Sequence, residues 1–280
     1  MRVPEIGEIR RRKQRLRIPI VILLAALIIT AVVTCAVLGE GIAPDSPFRQ
    51  RLEVGDTPPS PVHIAGTDLL GRDVLSRVIY GAKTALVGPI VVAVGAFTIA
   101  TLLGLLSGYL GGFVDSAIMR CVDFMLALPG PLVAIVVVGV VGGGYWTAVL
   151  VLGVLFTAPD TRIVRSAVLE QRPLPYIEAA RTLGISKTRI LFLHILPNVG
   201  PIILAYVALD FAFALVNLAG LSFLGLGVEP GTPDWGRMLF ENRNILFSNP
   251  VALLLPAGMI ILTAVSMNLI GDWLFERFAK

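Results

Sequence analysis

Phe124 to Pro159 is a run of 36 residues without a single charge. As one helix it would be about 54 Å long, far more than the roughly 30 Å hydrocarbon core of a bilayer. The run therefore predicts two membrane spans, with Gly142-Gly143-Gly144 as the tight turn between them. Other long apolar stretches surround it. Ile18 to Leu38 has 21 uncharged residues, Thr84 to Val114 has 31, and Asn244 to Gly271 has 28. A further stretch runs from Pro197 to about Leu226 and is broken only by Asp210. The expected fold is an all-α polytopic membrane protein with six transmembrane helices.

Composition agrees. The chain is 56% hydrophobic and only 15% charged, with a mean hydropathy of +0.84. A soluble domain carries roughly a quarter charged residues. A cleaved leader would have an apolar region of roughly 7–15 residues, so the 21-residue first run is expected to be a retained span. Cys35 and Cys121 both lie in or beside apolar runs and suggest no disulfide framework. Outside the spans there is no basic stripe interleaved with aromatics, which argues against nucleic acid as a partner.

Charge placement orients the spans. Residues 1–17 hold seven basic side chains against Glu5 and Glu8, and residues 162–190 hold six against Glu170 and Glu178. Residues 39–83 hold five basic against six acidic. Six spans put both basic segments and both termini on one side, which the positive-inside rule makes the cytoplasm. Residues 39–83, with Pro58-Pro59-Ser60-Pro61 at their centre, read as an outer loop. Within them Val74, Leu75, Val78 and Ile79 recur at helical spacing, as in a short amphipathic helix lying on the membrane surface. Asp115, Arg120 and Asp123 are expected at the cytoplasmic interface, with Arg120 placed to pair with Asp123 at i, i+3.

The most regular polar stretch between two spans is Tyr176 to Asn198. Pro175 suits a first helical turn, and Glu178 lies near the positive end of the helix dipole. Ala179 and Ala180 are strong helix formers of little bulk, so a neighbouring surface can approach closely. Gly184 can take the left-handed conformation that ends a helix, Ser186 can cap a second one, and Pro197 is expected to bound it. A helix–Gly–helix loop of this kind is something an external protein can grip.

Inside the spans, Asp210 is an isolated acid, and Asn217 lies seven residues on, about two turns away on roughly the same face. That face either lines a translocation path, contacts a partner subunit, or is a polar pair that packs helices. Gly139 and Gly143 have small-xxx-small spacing, a helix-packing signal. No phosphate loop, metal-ligand spacing or nucleophile elbow occurs, so no catalysis and no bound cofactor are expected of this chain.

The spelling adds a family. Glu178-Ala179-Ala180, three residues, Gly184, nine residues, then His194-Ile195-Leu196-Pro197 resembles the EAA signature of ABC importer permeases. His194 stands where that signature has Ile. Gly66 to Arg77 (GTDLLGRDVLSR), Leu221 to Leu239 (LSFLGLGVEPGTPDWGRML) and Asn268 to Leu274 (NLIGDWL) resemble, in order, the C-type permeases of dipeptide and oligopeptide importers. Asn217 stands where many relatives have an acid.

The resemblance implies the type I importer permease fold in a bacterial plasma membrane. It implies a homologous second permease, cytoplasmic ABC ATPase subunits that bind ATP and Mg, and an extracytoplasmic substrate-binding protein. Tyr176, Glu178, Ala179, Ala180, Leu183 and Gly184 would then contact the ATPase. The expected division is residues 1–83, holding tail, first span and outer loop, and residues 84–280, the permease core with its coupling loop at about 162–197. A secondary transporter or channel subunit is the other class, expected to show inverted repeats or a broken-helix midplane site.

Overall fold

The structure, a computed structural model, describes residues 19–278. The basic tail 1–17 and Ile18 lie outside the described residues. The helices are α1 Ile20–Ile42, α2 Val74–Leu110, α3 Gly112–Leu126, α4 Gly130–Val141, α5 Tyr145–Gln171, α6 Pro175–Thr182, α7 Lys187–Ile190, α8 Leu196–Phe223, α9 Trp235–Asn242 and α10 Val251–Phe278. A π-turn, Leu191–Ile195, joins α7 to α8 as one helical rod. Helices α1, α2, α5, α7–α8 and α10 are each long and apolar enough to cross a membrane. Helices α3 and α4 make a sixth span when taken together, bent by 82°.

The expected surface helix at Val74 does not exist as a separate element. It is the first turns of α2, which runs unbroken for 37 residues through the boundary expected at residue 83. Asp73 sets the start: its carboxylate accepts from the N–H and the hydroxyl of Ser76, at 2.8 and 2.7 Å. The amphipathic spacing is real, but its apolar face packs on α9 and α10 rather than on lipid. Pro89, about four turns along α2, removes one of its backbone bonds, and nearby the Tyr145 hydroxyl donates to the Thr84 carbonyl at 2.6 Å.

The third span is broken because Ala127-Leu128-Pro129 cannot continue a helix. A residue before proline is pushed out of the α region. Pro129 then serves as N-cap of α4, and Gly142 ends α4 at φ +109°. Pro197, by contrast, does not bound a helix. Its ring would clash with the carbonyl four residues back in a regular α-helix, and the π-turn widens the backbone where that clash would fall.

The helices pack through small residues. A Cβ at Gly104 would stand 2.7 Å from Val164, and one at Gly108 would stand 2.9 Å from Val168, so α2 and α5 meet almost backbone to backbone. Gly139 and Gly143 make no such contact: their nearest neighbours would be Leu226 atoms at 3.9 and 3.8 Å. The small-residue seam lies at 104 and 108 instead.

At one end of α2 the loops form a tethered collar. Arg72 and Arg77 grip Glu241 at 2.7 and 2.9 Å, and Arg72 also holds Asp68 at 2.7 Å. The Asn249 amide lies within 3.1–3.3 Å of the carbonyls of Thr57, Ala65 and Thr67. Trp235 is buried and donates to the Val78 carbonyl at 2.9 Å. The segment 43–73 has no helix, as expected of a loop, yet it is pinned along its length.

Candidate coupling element and intramembrane cavity

The other end of α2, about 55 Å from the collar, meets α6. Arg181 stacks over the Tyr109 ring at 5.2 Å. Helix α6 begins with Pro175 at its first position, after Leu174 as N-cap. It ends in a Schellman motif: the Gly184 N–H donates to the Arg181 carbonyl at 3.0 Å and the Ile185 N–H to the Ala180 carbonyl at 3.1 Å. Gly184 has φ +72°, and nothing lies within 4 Å of where a Cβ would be. Ser186 caps α7 by accepting from the Arg189 N–H at 3.4 Å.

Of the residues expected to face a partner, Tyr176, Glu178, Ala179, Leu183 and Gly184 are exposed. Leu183 stands out, with 79% of its surface uncovered at the tip of a polar loop. Ala180 corrects the expectation. It is buried with Ile177 in the apolar cluster that also holds Tyr109, Val168, Ile190 and Leu191, so its small side chain serves the chain's own core. With Pro175 at N1, positions 177 and 180 share the inward face and 179 and 183 the outward one.

Charges at this end pair between helices. Asp123 takes Arg162 at 2.5 Å rather than Arg120, because α3 runs beside α5 and brings the two side chains together. Asp115 takes Arg165. His194 has its Nδ1 3.4 Å from the Arg189 carbonyl, and no cluster of metal-ligating side chains occurs among the described residues. Cys35 and Cys121 are free thiols.

Between α5, α8 and the break of the third span lies a cavity of about 380 Å³. Asp210 and Asn217 both line it, on one face of α8 as their spacing predicts. The Asn217 amide is tied to its own helix, donating to the Phe213 carbonyl at 2.8 Å. A second acid, Asp160 of α5, lines the same cavity as Asp210. The sequence carries the later span past Pro159 into Asp160-Thr161-Arg162, and the helix indeed continues, to Gln171, so Asp160 sits inside it. Its signal was an acid directly after an uncharged run, on a helix that does not stop there.

Residues 100–280 match the family described as binding-protein-dependent transport system inner membrane component. A dipeptide transport system permease protein of Alkalihalophilus pseudofirmus is 35% identical over 94% of this chain and 85% of that protein. A glutathione transport system permease protein of Pectobacterium atrosepticum is 39% identical over 77% of this chain and 72% of that protein. A di/tripeptide transport system permease protein of Pseudomonas aeruginosa is 35% identical over 89% and 84%. In structure, the chain resembles an inward-facing MetNI methionine ABC transporter, with TM-score 0.59 and 17% identity, over 72% of this chain and 96% of that one. That likeness is one of fold.

Proposed function

We propose, since this chain belongs to the family of binding-protein-dependent transport system inner membrane components, that it is a permease subunit of an ATP-driven importer of short peptides. The observation that carries the reading is Leu183, a large apolar side chain left 79% exposed at the tip of a capped polar helix. A rigid loop that presents one apolar knob beside Tyr176, Glu178 and Ala179 is built to be held by another protein. That protein would be a cytoplasmic ABC ATPase, which binds ATP and Mg. The basic surplus of residues 162–190 puts the loop, and both termini, on the cytoplasmic side. The membrane would be the bacterial inner membrane.

A homologous second permease would close the path along α5 and α8, and an extracytoplasmic binding protein would deliver cargo to the collar. Peptides are supported as cargo by the dipeptide, di/tripeptide and glutathione permeases that this chain resembles. Closure of the ATPases would move α6 and α7 and turn the cavity outward; hydrolysis would reset it. Vesicles reconstituted with all subunits, and carrying no proton or sodium gradient, should accumulate labelled dipeptide only with ATP inside the ATPase compartment. Uptake driven by an ion gradient without ATP would refute the assignment.

A further inference from the structure

Asp160 and Asp210 are 2% and 8% exposed, yet each keeps an Oδ2 with no hydrogen-bond partner. Both carboxyls open onto the 380 Å³ cavity. Asp160 lies on α5 two residues before Arg162, and Asp210 lies well inside α8, fifteenth of its 28 residues. No basic side chain lines the cavity among the described residues. The arginines that follow on α5 are already engaged, Arg162 by Asp123 and Arg165 by Asp115. The remaining walls are largely apolar, among them Leu152, Phe156, Leu209 and Phe213.

Two buried carboxyl groups on one cavity, with free acceptor oxygens and no donor, are complete only with a proton or a cation between them. A protein that keeps such a pair buried bears a large desolvation cost, which packing alone does not repay. A primary ammonium offers three N–H donors on a compact charge, which suits the open oxygens. Apolar walls with a few convergent polar groups, at a volume of a few hundred Å³, suit a small organic molecule better than a bare ion. We propose that Asp160 and Asp210 together receive the protonated amino terminus of the peptide as it crosses, with its side chains against the apolar walls. The assignment rests on the importer reading above and adds to it the chemical class that the permease itself selects.

The test uses the complete importer in proteoliposomes. Asp160→Asn and Asp210→Asn keep size and hydrogen bonding, and each should lower dipeptide uptake at least tenfold. Assembly with the ATPase and with the binding protein should be normal in both variants, because the collar and the coupling loop are untouched. In the unmodified complex, the apolar reagent dicyclohexylcarbodiimide should label Asp160 or Asp210, read by mass spectrometry. Free dipeptide should protect them, and its N-acetyl form should not. Normal uptake by the Asn variants, or equal protection by the acetylated peptide, overturns the proposal. So does joint loss of uptake and subunit assembly in both variants, which would mark the pair as packing. Failure of the unmodified complex to take up peptide with ATP would instead sink the importer reading itself.

Discussion

Arg165 holds Asp115 with two parallel hydrogen bonds, Nε to Oδ1 and Nη2 to Oδ2, both at 2.6 Å. The Ser107 hydroxyl donates to the same carboxylate. Three helices are thereby joined at one point: α2 through Ser107, α3 through Asp115 and α5 through Arg165. The junction lies where the broken third span begins, so it sets the angle at which α3 leaves α2.

That junction is directly testable. A fork-to-fork pair only about a quarter exposed should contribute about 1 kcal/mol. Asp115→Asn and Arg165→Gln should each lower the melting temperature in detergent. The double variant should fall no further than the worse single one, because both remove the same interaction. Additive losses would mean that the two side chains stabilise the protein independently.

The coupling loop separates two kinds of damage. Leu183→Ala removes an exposed side chain and should leave expression and melting temperature unchanged while co-purification of the ATPase falls. Gly184→Val has open space around it, so its whole cost, about 1–2 kcal/mol or more for a β-branched residue, comes from the positive φ. It should loosen the Schellman turn and lower ATPase binding as well. Ala180→Trp would overfill the core under α6 and should reduce the amount of folded protein. Normal ATPase retention by Leu183→Ala would show that the loop's tip is not the docking point.

The collar should resist mild acid. Burial alone would raise the Glu241 carboxyl, but Arg77, Arg72, the Gly231 N–H and Arg237 outweigh it and hold the group below its ordinary range. A carboxyl held low when folded contributes stability that is fully present above its unfolded value, about 4.3, and is lost as pH falls through the lower folded value. In a protein whose only tryptophan is Trp235, the emission maximum should therefore be constant from pH 7 to about pH 5 and shift red only below the ordinary carboxylate range. Burial pushes the neighbouring Asp234 carboxyl up, so only a transition above pH 5 that Glu241→Gln abolishes would mean that the arginines do not keep Glu241 ionised. Glu241→Gln should weaken the collar at every pH.

Sidedness has its own check. Val62 is exposed on the collar and Thr188 on the α6–α7 side. With Cys35 and Cys121 replaced, Val62→Cys should react with an impermeant thiol reagent on intact cells, and Thr188→Cys only after lysis. Labelling of residue 188 from outside would invert the proposed topology.

Much of this architecture is legible in the residues, because bilayer thickness limits how long an apolar run can be. The α6 turn was legible as well, since Pro175, Gly184 and Ser186 each act through their own backbone. What escaped is what depends on another helix. Whether Ala180 points in or out depends on where the helices beneath α6 lie. The seam at Gly104 and Gly108 looks, in one dimension, no different from Gly139 and Gly143. The partner of Asp210 is 50 residues away in the chain, and Asp123 had a closer arginine in sequence than the one it meets in space. Proline was misread in both directions: Pro129 breaks a span that its apolar composition joins, and a π-turn carries the helix past Pro197.

The unbroken rod from Lys187 to Phe223 also has a mechanical meaning. Its Phe223 end is held, since Gly236 of α9 lies so near Ala219 that a Cβ there would stand 2.2 Å from the Ala219 oxygen. Asp210 is about 14 Å from that contact and Lys187 about 48 Å, at 1.5 Å per residue. A swing at the Lys187 tip would therefore be stepped down about 3.5-fold by the time it reached the acid pair, and the force multiplied by the same ratio. A coarse stroke at the α6–α7 end would become a short, strong displacement of one carboxyl against another, with the π-turn and Pro201 as the compliant points of the lever.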